Sequence, residues 1–282
     1  MINTVKGLRA ITIGALLTIA ATAAQAAPTF TVNPNVLGLT TSGQTFTADA
    51  MNGLSSARLA FTGNGTSTFT YTGTGYINFS TFGLNDSPIS AGITRDNVDY
   101  GLYATFTQNF TCSSFLGSGV DCAITGISLN LFADIGNDNT YKKATTSTDA
   151  SVTAVGNQIL LGSVNQVIAG SAGINAQGGA YQNVNTNFVL TDEGSQFFVS
   201  PNPFYSLAFS AFNNTSQGLS CNGTVTTANP NGCSGNITSV AINNETGITD
   251  FNGATAVPEP ATLAIFGAGL MGLAALRRRK QK

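Results

Sequence analysis

The chain has 282 residues, only 9% of them charged, and it is rich in Thr (38), Asn (28) and Gly (32). Since an average soluble domain has about 25% charged residues, this composition is typical of a neutral, β-rich exported protein. The sequence contains no His and no Trp. It therefore excludes a Ser-His-Asp or Cys-His relay, a His-ligated metal site and a Trp platform for sugars, and we predict a protein without catalytic residues or a cofactor.

The N-terminus has the pattern of a secretory signal peptide. Lys6 and Arg9 precede an apolar stretch over residues 11–24, and Ala24-Gln25-Ala26 forms a small-x-small cleavage site. A permanent anchor helix is the alternative, but the apolar stretch is short and contains threonines. We therefore predict a signal peptide over residues 1–26, with Ala24 and Ala26 at the cleavage site.

The C-terminus predicts a short transmembrane helix. Residues 261–276 carry no charge and are followed by a cluster of arginines and lysines. At 1.5 Å per residue the run reaches about 24 Å, against a hydrocarbon core of roughly 30 Å. Because basic clusters stay cytoplasmic, the helix would hold the preceding residues outside the membrane.

This arrangement resembles the PEP-CTERM sorting tail of Gram-negative bacterial surface proteins. The resemblance covers residues 257–282 and implies recognition by a membrane exosortase. It also implies an inner-membrane-anchored intermediate, then delivery to the cell surface or extracellular matrix, where such proteins accompany exopolysaccharide. The residues that carry the resemblance, and that we predict to direct sorting and processing, are Pro258, Glu259, Pro260, Arg277, Arg278 and Arg279.

The region between the end segments, residues 27–256, is the predicted mature domain. It carries 4 basic and 12 acidic side chains, a net charge of −8. Nucleic-acid binding requires a basic surface that releases counterions from phosphates. The charge therefore predicts no nucleic-acid partner, and it also disfavours anionic polymers.

Period-two alternation of β-branched and aromatic residues predicts antiparallel strands with one buried face and one wet, Thr-rich face. Residues 150–174 are ambiguous, although their four glycines favour strands over helix. We predict a single all-β domain built as an antiparallel β-sandwich or jelly roll. The alternating windows are residues 66–71, 76–82, 102–110, 124–132, 184–190 and 205–212.

The four cysteines form two local pairs, Cys112 with Cys122 and Cys221 with Cys233. In an exported chain such pairs favour disulfides, and the local connectivity has the shortest closures, each worth about 3 kcal/mol. A zinc site is the alternative. The spacings of nine and eleven intervening residues do not fit the usual C-x₂₋₄-C pattern, so we predict the two local disulfides.

Acidic residues that could serve a metal or catalysis are few. None of them fits the D-x-[DN]-x-[DN]-G calcium loop, and turn capping is the favoured interpretation, so we predict no metal site. A cluster of three or more Asp or Asn oxygens would favour calcium, and two carboxylates facing across a cleft would favour a glycosidase. The candidate groups are Asp134 with Asp138 and Asn139, Asp96 with Asp99, and Asp192 with Glu193.

Several aromatic segments of the mature region carry a second resemblance, namely residues 27–32, 76–79, 98–100, 102–106, 197–205, 211–218 and 248–251. They are similar to segments of the flocculation-associated PEP-CTERM proteins. The resemblance implies a surface protein through which cells aggregate within a self-made polysaccharide. It implies no catalytic residue.

Together these observations predict a non-enzymatic exported surface or matrix protein that promotes floc or biofilm formation with exopolysaccharide. Its predicted partners are an exosortase during processing, extracellular polysaccharide, and the membrane transiently through the C-terminal helix. A secreted β-sandwich enzyme acting on polysaccharide and a Ca²⁺-dependent lectin are the alternative functions.

Overall fold

The computed structural model describes residues 28–64, 68–214, 218–224, 233 and 235–252. Nearly all of its regular structure is β-strand, and its two helices are short. In chain order the elements are β1 (Phe30–Val32), β2 (Phe46–Ala48), β3 (Ala50–Asn64), β4 (Phe69–Leu84), β5 (Ser87–Pro88), α1 (Ala91–Thr94), β6 (Tyr100–Cys112), β7 (Val120–Ile135), β8 (Thr140–Lys142), β9 (Ser151–Thr153), β10 (Gln158–Val164), β11 (Val167–Ile174), β12 (Ala180–Asn187), β13 (Val189–Leu190), α2 (Asp192–Phe197), β14 (Phe198–Ser200), β15 (Leu207–Asn213), β16 (Leu219–Thr224) and β17 (Asn236–Asn252).

Eight of these strands form a closed antiparallel barrel in the order β3, β4, β6, β7, β11, β12, β15, β17 and back to β3. The all-β antiparallel prediction is confirmed, but the prediction of a sandwich or jelly roll is wrong. Pairing of β11 with β7, from Ser171 opposite Ala123 to Ile174 opposite Val120, closes the sheet on itself. Alternation shows that one face of a strand is buried, and that face can equally pack on a second sheet or line a closed barrel.

Strand β4 joins two sequence windows that were predicted as separate strands. Gly73 and Gly75 lie between those windows, and glycines in such a position are typical of a turn. In the structure both lie inside the strand. A Cβ at Gly75 would lie 2.2 Å from the carbonyl oxygen of Ser56 on the neighbouring strand β3. The glycine is thus required by close approach of two backbones.

One end of the barrel, which we call the aromatic end, is closed by phenylalanine rings. The small sheet β14-β1-β2 lies there and brings Phe30 against the last residues of β4 and β17. The Phe30 ring centroid lies 5.3 Å from that of Phe251, 5.8 Å from that of Phe198 and 6.3 Å from that of Phe82. All four side chains are at most 2% exposed.

The opposite end, which we call the disulfide end, is closed by the loop between β6 and β7. Cys112 is bonded to Cys122 at the base of this loop, and Leu116 within it is 2% exposed. The buried Tyr71 hydroxyl donates to the carbonyl of Ile237 at 2.6 Å and accepts from the backbone N–H of Leu116 at 3.0 Å. The loop is therefore held by both a covalent bond and a buried hydrogen-bond pair.

A strap covers part of the outer surface. Residues 136–157, which include the β8–β9 hairpin, cross the outer surface near the middle of the barrel and place Tyr141 on Tyr76 and Tyr103, with ring centroids 5.1 and 6.2 Å apart. Arg58 on β3 anchors the strap through an ion pair of 3.0 Å with Asp149. Beside the strap, outward side chains of β6 and β7 such as Thr107, Asn109 and Ser128 are exposed.

Within the described ranges no helix, neither α1 with four residues nor α2 with six, is long and apolar enough to cross a membrane. The predicted signal peptide, including Ala24 and Ala26, lies outside those ranges. The predicted sorting tail from residue 257 onward also lies outside them.

Candidate functional site

The outer surface of β4, β6 and β7 carries an array of small polar side chains, partly or fully exposed, which we call the threonine face. Alternation along each strand points apolar side chains into the barrel and these residues outward. No member of the set is charged. The threonine face consists of Thr70, Thr72, Thr74, Thr105, Thr107, Asn109, Thr111, Thr125, Ser128 and Asn130.

Strand register sets the geometry of the threonine face. Thr74 lies opposite Thr107, which in turn lies opposite Ser128, so these three hydroxyls form one row across the strands. Neighbouring rows are about 6.7 Å apart along a strand, and neighbouring strands about 4.8 Å apart. The face thus presents rows of hydroxyl and amide groups, with one register shift between β6 and β7 beside Asn109.

Only part of this hydrogen-bonding capacity is used within the face. Thr72 donates to the Asn109 side-chain oxygen at 3.3 Å, and Thr125 donates to the Asn109 carbonyl at 3.2 Å. The side chains of Thr107 and Ser128 are exposed and form no hydrogen bond with any other residue the structure describes. Their hydroxyls remain free to donate to and accept from a ligand or water.

The second candidate site is the interior of the barrel. It contains a cavity of about 70 Å³ lined mainly by apolar side chains, with a few polar groups among them. The space exists because several inward positions carry small residues. Those positions are Ala57, Gly73, Ala104, Ala172 and Ala208.

Glu245 places a carboxyl group in the wall of this cavity. Its side chain is 7% exposed, and one carboxyl oxygen accepts from the Ser55 hydroxyl at 2.7 Å. Burial raises the pKa of Glu245 to about 7, while the Ser55 hydrogen bond acts in the opposite direction. A carboxyl in this environment holds its proton far more readily than one in water.

Further polar side chains line the cavity, among them Gln108, Ser210 and Thr249. Gln108 is 3% exposed, and its amide forms no hydrogen bond with any residue in the described ranges. The Ser210 and Thr249 hydroxyls are 2.9 Å apart and bond to each other. Gln108 therefore brings unused donor and acceptor capacity into an apolar space.

The predicted acidic candidates serve mainly local structure. Arg95 donates to Asp99 at 2.7 Å and Thr40 donates to it at 2.6 Å, and these two hydrogen bonds lower the pKa of Asp99 to about 2. Asp134 accepts from the Asn139 backbone N–H at 3.0 Å. Asp138 is exposed, and Asp192 and Glu193 occupy the first turn of α2.

Asp96 differs from the other candidates because it is 3% exposed and neither carboxyl oxygen has a partner among the residues described. Burial raises its pKa to about 7. Across the described ranges, no three His, Cys, Asp or Glu side chains come together in a way that could hold a metal ion.

The cysteines are bonded in the local pairs, Cys112 to Cys122 and Cys221 to Cys233. The Cα atoms of the two pairs are 4.2 and 5.8 Å apart. Both bonds lie at the disulfide end of the barrel, one in the loop after β6 and the other beside the start of β17.

Glu245 and Gln108 are not among the site residues predicted from the sequence. For Gln108 a signal was present, since it alternates in register with Phe106 and Phe110 on β6 and so shares their inward face. Glu245 faces inward because β17 has a bulge before it, where Asn244 has a positive φ of 56° and the register with β3 shifts. Asparagine tolerates this conformation better than most residues. The Asn243-Asn244 pair is therefore the feature of the sequence that could have indicated the bulge.

Comparison with known proteins finds one match, at the C-terminus. Residues 256–280 match the family model described as the PEP-CTERM protein-sorting motif, which confirms the sorting tail predicted from the sequence. No curated protein and no solved structure matches the chain. The chain thus carries a PEP-CTERM sorting motif, which implies an exported protein that an exosortase processes through a membrane-anchored intermediate.

Proposed function

We propose that this protein is a non-enzymatic component of a Gram-negative cell surface or matrix that binds neutral stretches of extracellular polysaccharide and so promotes floc or biofilm formation. The observation that carries the proposal is the threonine face, an uncharged array of hydroxyl and amide groups on an exported protein. The sorting motif supports the location, since it implies export and release from a membrane anchor.

The threonine face suits a hydroxyl-rich polymer because each of its side chains can both donate and accept. A single hydrogen bond to a sugar replaces bonds to water and so contributes little net free energy. Many copies of the protein on one cell would engage a long polymer at several points, and avidity would then provide the binding strength. A weak site repeated many times fits a matrix protein.

Charge restricts the polymer. The mature region has a net charge of −8, and an acidic polysaccharide would be repelled except at neutral stretches or through bridging cations. The threonine face itself carries no charge, so a neutral chain can approach it without this penalty. Neutral polysaccharide is the proposed ligand class.

Position in the barrel also supports the proposal. Strand β17 ends at Asn252 at the aromatic end, and the matched sorting motif begins four positions later. The threonine face runs from the middle of the barrel towards the disulfide end. While the membrane-anchored intermediate exists, the face therefore lies on the part of the barrel away from the tail.

A binding assay with matched variants tests the face. Replacing the row Thr74, Thr107 and Ser128 by Val, Val and Ala removes three hydroxyls with little change in volume. We expect this triple variant to lose at least tenfold in binding to neutral exopolysaccharide in a sedimentation assay. The control replaces the exposed Thr140 and Thr153 of the strap by Val and should bind like the wild type; equal binding by the triple variant would refute the assignment of the face.

A deletion strain tests the cellular role. We expect cells without the gene to keep total exopolysaccharide while they fail to settle, and full-length protein to restore settling. A chain truncated before Pro258 should not restore it. Loss of the polysaccharide itself would indicate an enzyme or regulator, and full rescue by the truncated chain would show that sorting through the tail is not required.

A further inference from the structure

We infer that the interior of the barrel binds a small, mostly apolar molecule that carries one uncharged hydrogen-bonding group such as a hydroxyl. This site is separate from the threonine face, which lies on the outer surface of the same strands. Its occupation does not depend on polysaccharide binding.

The shape of the barrel supports a ligand site. An eight-stranded barrel has an interior that side chains just fill or that holds one small ligand. Here small residues such as Ala57, Ala104 and Ala172 face inward where larger ones would fill the space, and a cavity of about 70 Å³ remains. Phe30 and Phe251 close one end and Leu116 closes the other, so the cavity lies within the protein.

The polar groups in the wall indicate the chemistry of the ligand. A buried amide without a hydrogen-bond partner is unfavourable. Gln108 is only 3% exposed, and its amide has no partner among the residues described. A hydroxyl could accept from the Gln108 amide or exchange a hydrogen bond with the Glu245 carboxyl. Few convergent polar groups in an otherwise apolar cavity are typical of small-molecule sites.

The cavity volume sets the size of the ligand. A water-sized group requires about 10–15 Å³ of such volume, so about 70 Å³ accommodates roughly five to seven heavy atoms. An anionic ligand is disfavoured because it would bring a second carboxylate beside Glu245 in an apolar environment. The expected guest is therefore an uncharged molecule about the size of 1-hexanol.

The test is a titration of the full chain, held in lipid nanodiscs, with 1-alkanols from butanol to octanol. Methyl-labelled alanines report binding inside the barrel, because Ala104 and Ala172 line the cavity while the exposed Ala123 on the outer surface serves as an internal control. We expect saturable shifts of the lumen methyl signals and an affinity that rises about fourfold per methylene, levelling off near 1-hexanol. Hexanoate at neutral pH should bind at least tenfold more weakly than 1-hexanol.

Two variants and one control complete the test. Ala104→Leu fills the cavity and should weaken 1-hexanol binding at least tenfold. Gln108→Leu keeps the volume but removes the amide. It should lower the affinity for 1-hexanol about two- to tenfold and leave the affinity for 1-chlorohexane unchanged. This variant still tests the inference if Ala104→Leu fails to fold. Thr246→Val, next to Glu245 but facing outward, should bind like the wild type.

The inference is overturned if no alkanol gives saturable shifts of the lumen methyl signals. It is also overturned if a folded Ala104→Leu protein binds 1-hexanol as the wild type does, or if Gln108→Leu leaves the 1-hexanol affinity unchanged. None of these outcomes bears on the threonine face, whose variants leave the lumen intact.

Discussion

The two ends of the barrel are closed by different interactions. At the aromatic end the rings of Phe30, Phe198 and Phe251 pack edge to face without any covalent link. At the disulfide end a short loop is held by the Cys112–Cys122 bond and the Tyr71 hydroxyl. The aromatic end therefore depends on hydrophobic packing in the folded state, whereas the disulfide end also depends on a constraint on the unfolded chain.

The largest expected effect comes from breaking the aromatic end. Phe251→Ala removes a ring that is 1% exposed and contacts four other phenylalanines. We expect a loss of about 3–5 kcal/mol in the free energy of unfolding, from lost burial and the cavity left behind. Urea unfolding followed by circular dichroism measures this loss. The control, Ile248→Ala on the same strand at a position 37% exposed, should cost under about 1 kcal/mol, and a similarly small effect of Phe251→Ala would contradict the packing argument.

The next effect concerns the covalent closure. The double variant Cys112→Ser with Cys122→Ser opens a loop with a sequence separation of 10, and we expect it to lower the free energy of unfolding by about 3 kcal/mol in the chain-entropy account. Ser113→Ala, in the same loop, should leave stability within about 0.5 kcal/mol of the wild type.

Non-reducing peptide mapping checks the pairing on which this prediction depends. We expect peptides linking Cys112 to Cys122 and Cys221 to Cys233. A link from Cys112 to Cys221 or Cys233, or free thiols at these positions, would show that the disulfide end is closed in another way.

A smaller effect is expected from the hydrogen bonds at the disulfide end. Tyr71→Phe keeps the ring but leaves the Leu116 N–H and the Ile237 carbonyl without their partner. Because these buried groups would be unpaired, we expect a loss of about 1–3 kcal/mol in the free energy of unfolding. Urea unfolding measures this loss. Tyr205→Phe is the matched control, since its hydroxyl donates to the Thr29 carbonyl at 2.9 Å in an exposed setting. If both variants lose the same free energy, burial is not what gives the Tyr71 hydroxyl its importance.

A pH dependence of stability is expected from a buried carboxyl group near the aromatic end. Asp96, which lies in the loop between α1 and β6 near the aromatic end, has its pKa raised to about 7 by burial from an ordinary value of 3.8. Between these values the folded chain holds the proton and the unfolded chain does not. Stability should therefore fall as pH rises from about 4 to about 7, by at most about 1.4 kcal/mol per pH unit from this group, and level off above.

Urea unfolding at a series of pH values measures that slope. Asp96→Asn should flatten it between pH 4 and 7, whereas Asp86→Asn, at an exposed turn, should leave it as in the wild type. A slope that survives in Asp96→Asn would assign the dependence to other groups, of which Glu245 is the first to test because burial raises its pKa to about 7 as well.

Linear features of the chain could be predicted from the sequence. The sorting motif is a string of residues recognised in order, so its match to residues 256–280 needed no fold. Alternation along a strand depends only on the two-residue period of extended backbone, and it correctly turned residues such as Thr107 outward and Phe110 inward. The local cysteine pairs also follow from short separations along the chain.

Closure of the barrel and the contents of its interior were decided by tertiary structure. Pairing of β11 with β7 joins segments that no local pattern connects, because the same alternation serves a sandwich and a barrel. Strict alternation from Val240 and Ile242 would turn the Glu245 side chain outward. The bulge at Asn244 shifts the alternation by one residue and turns it inward. The cavity exists because inward residues from several strands, such as Ala57, Ala104 and Ala172, meet around one axis. These side chains become neighbours only in the folded state, so the space that they leave cannot be predicted from the order of residues along the chain.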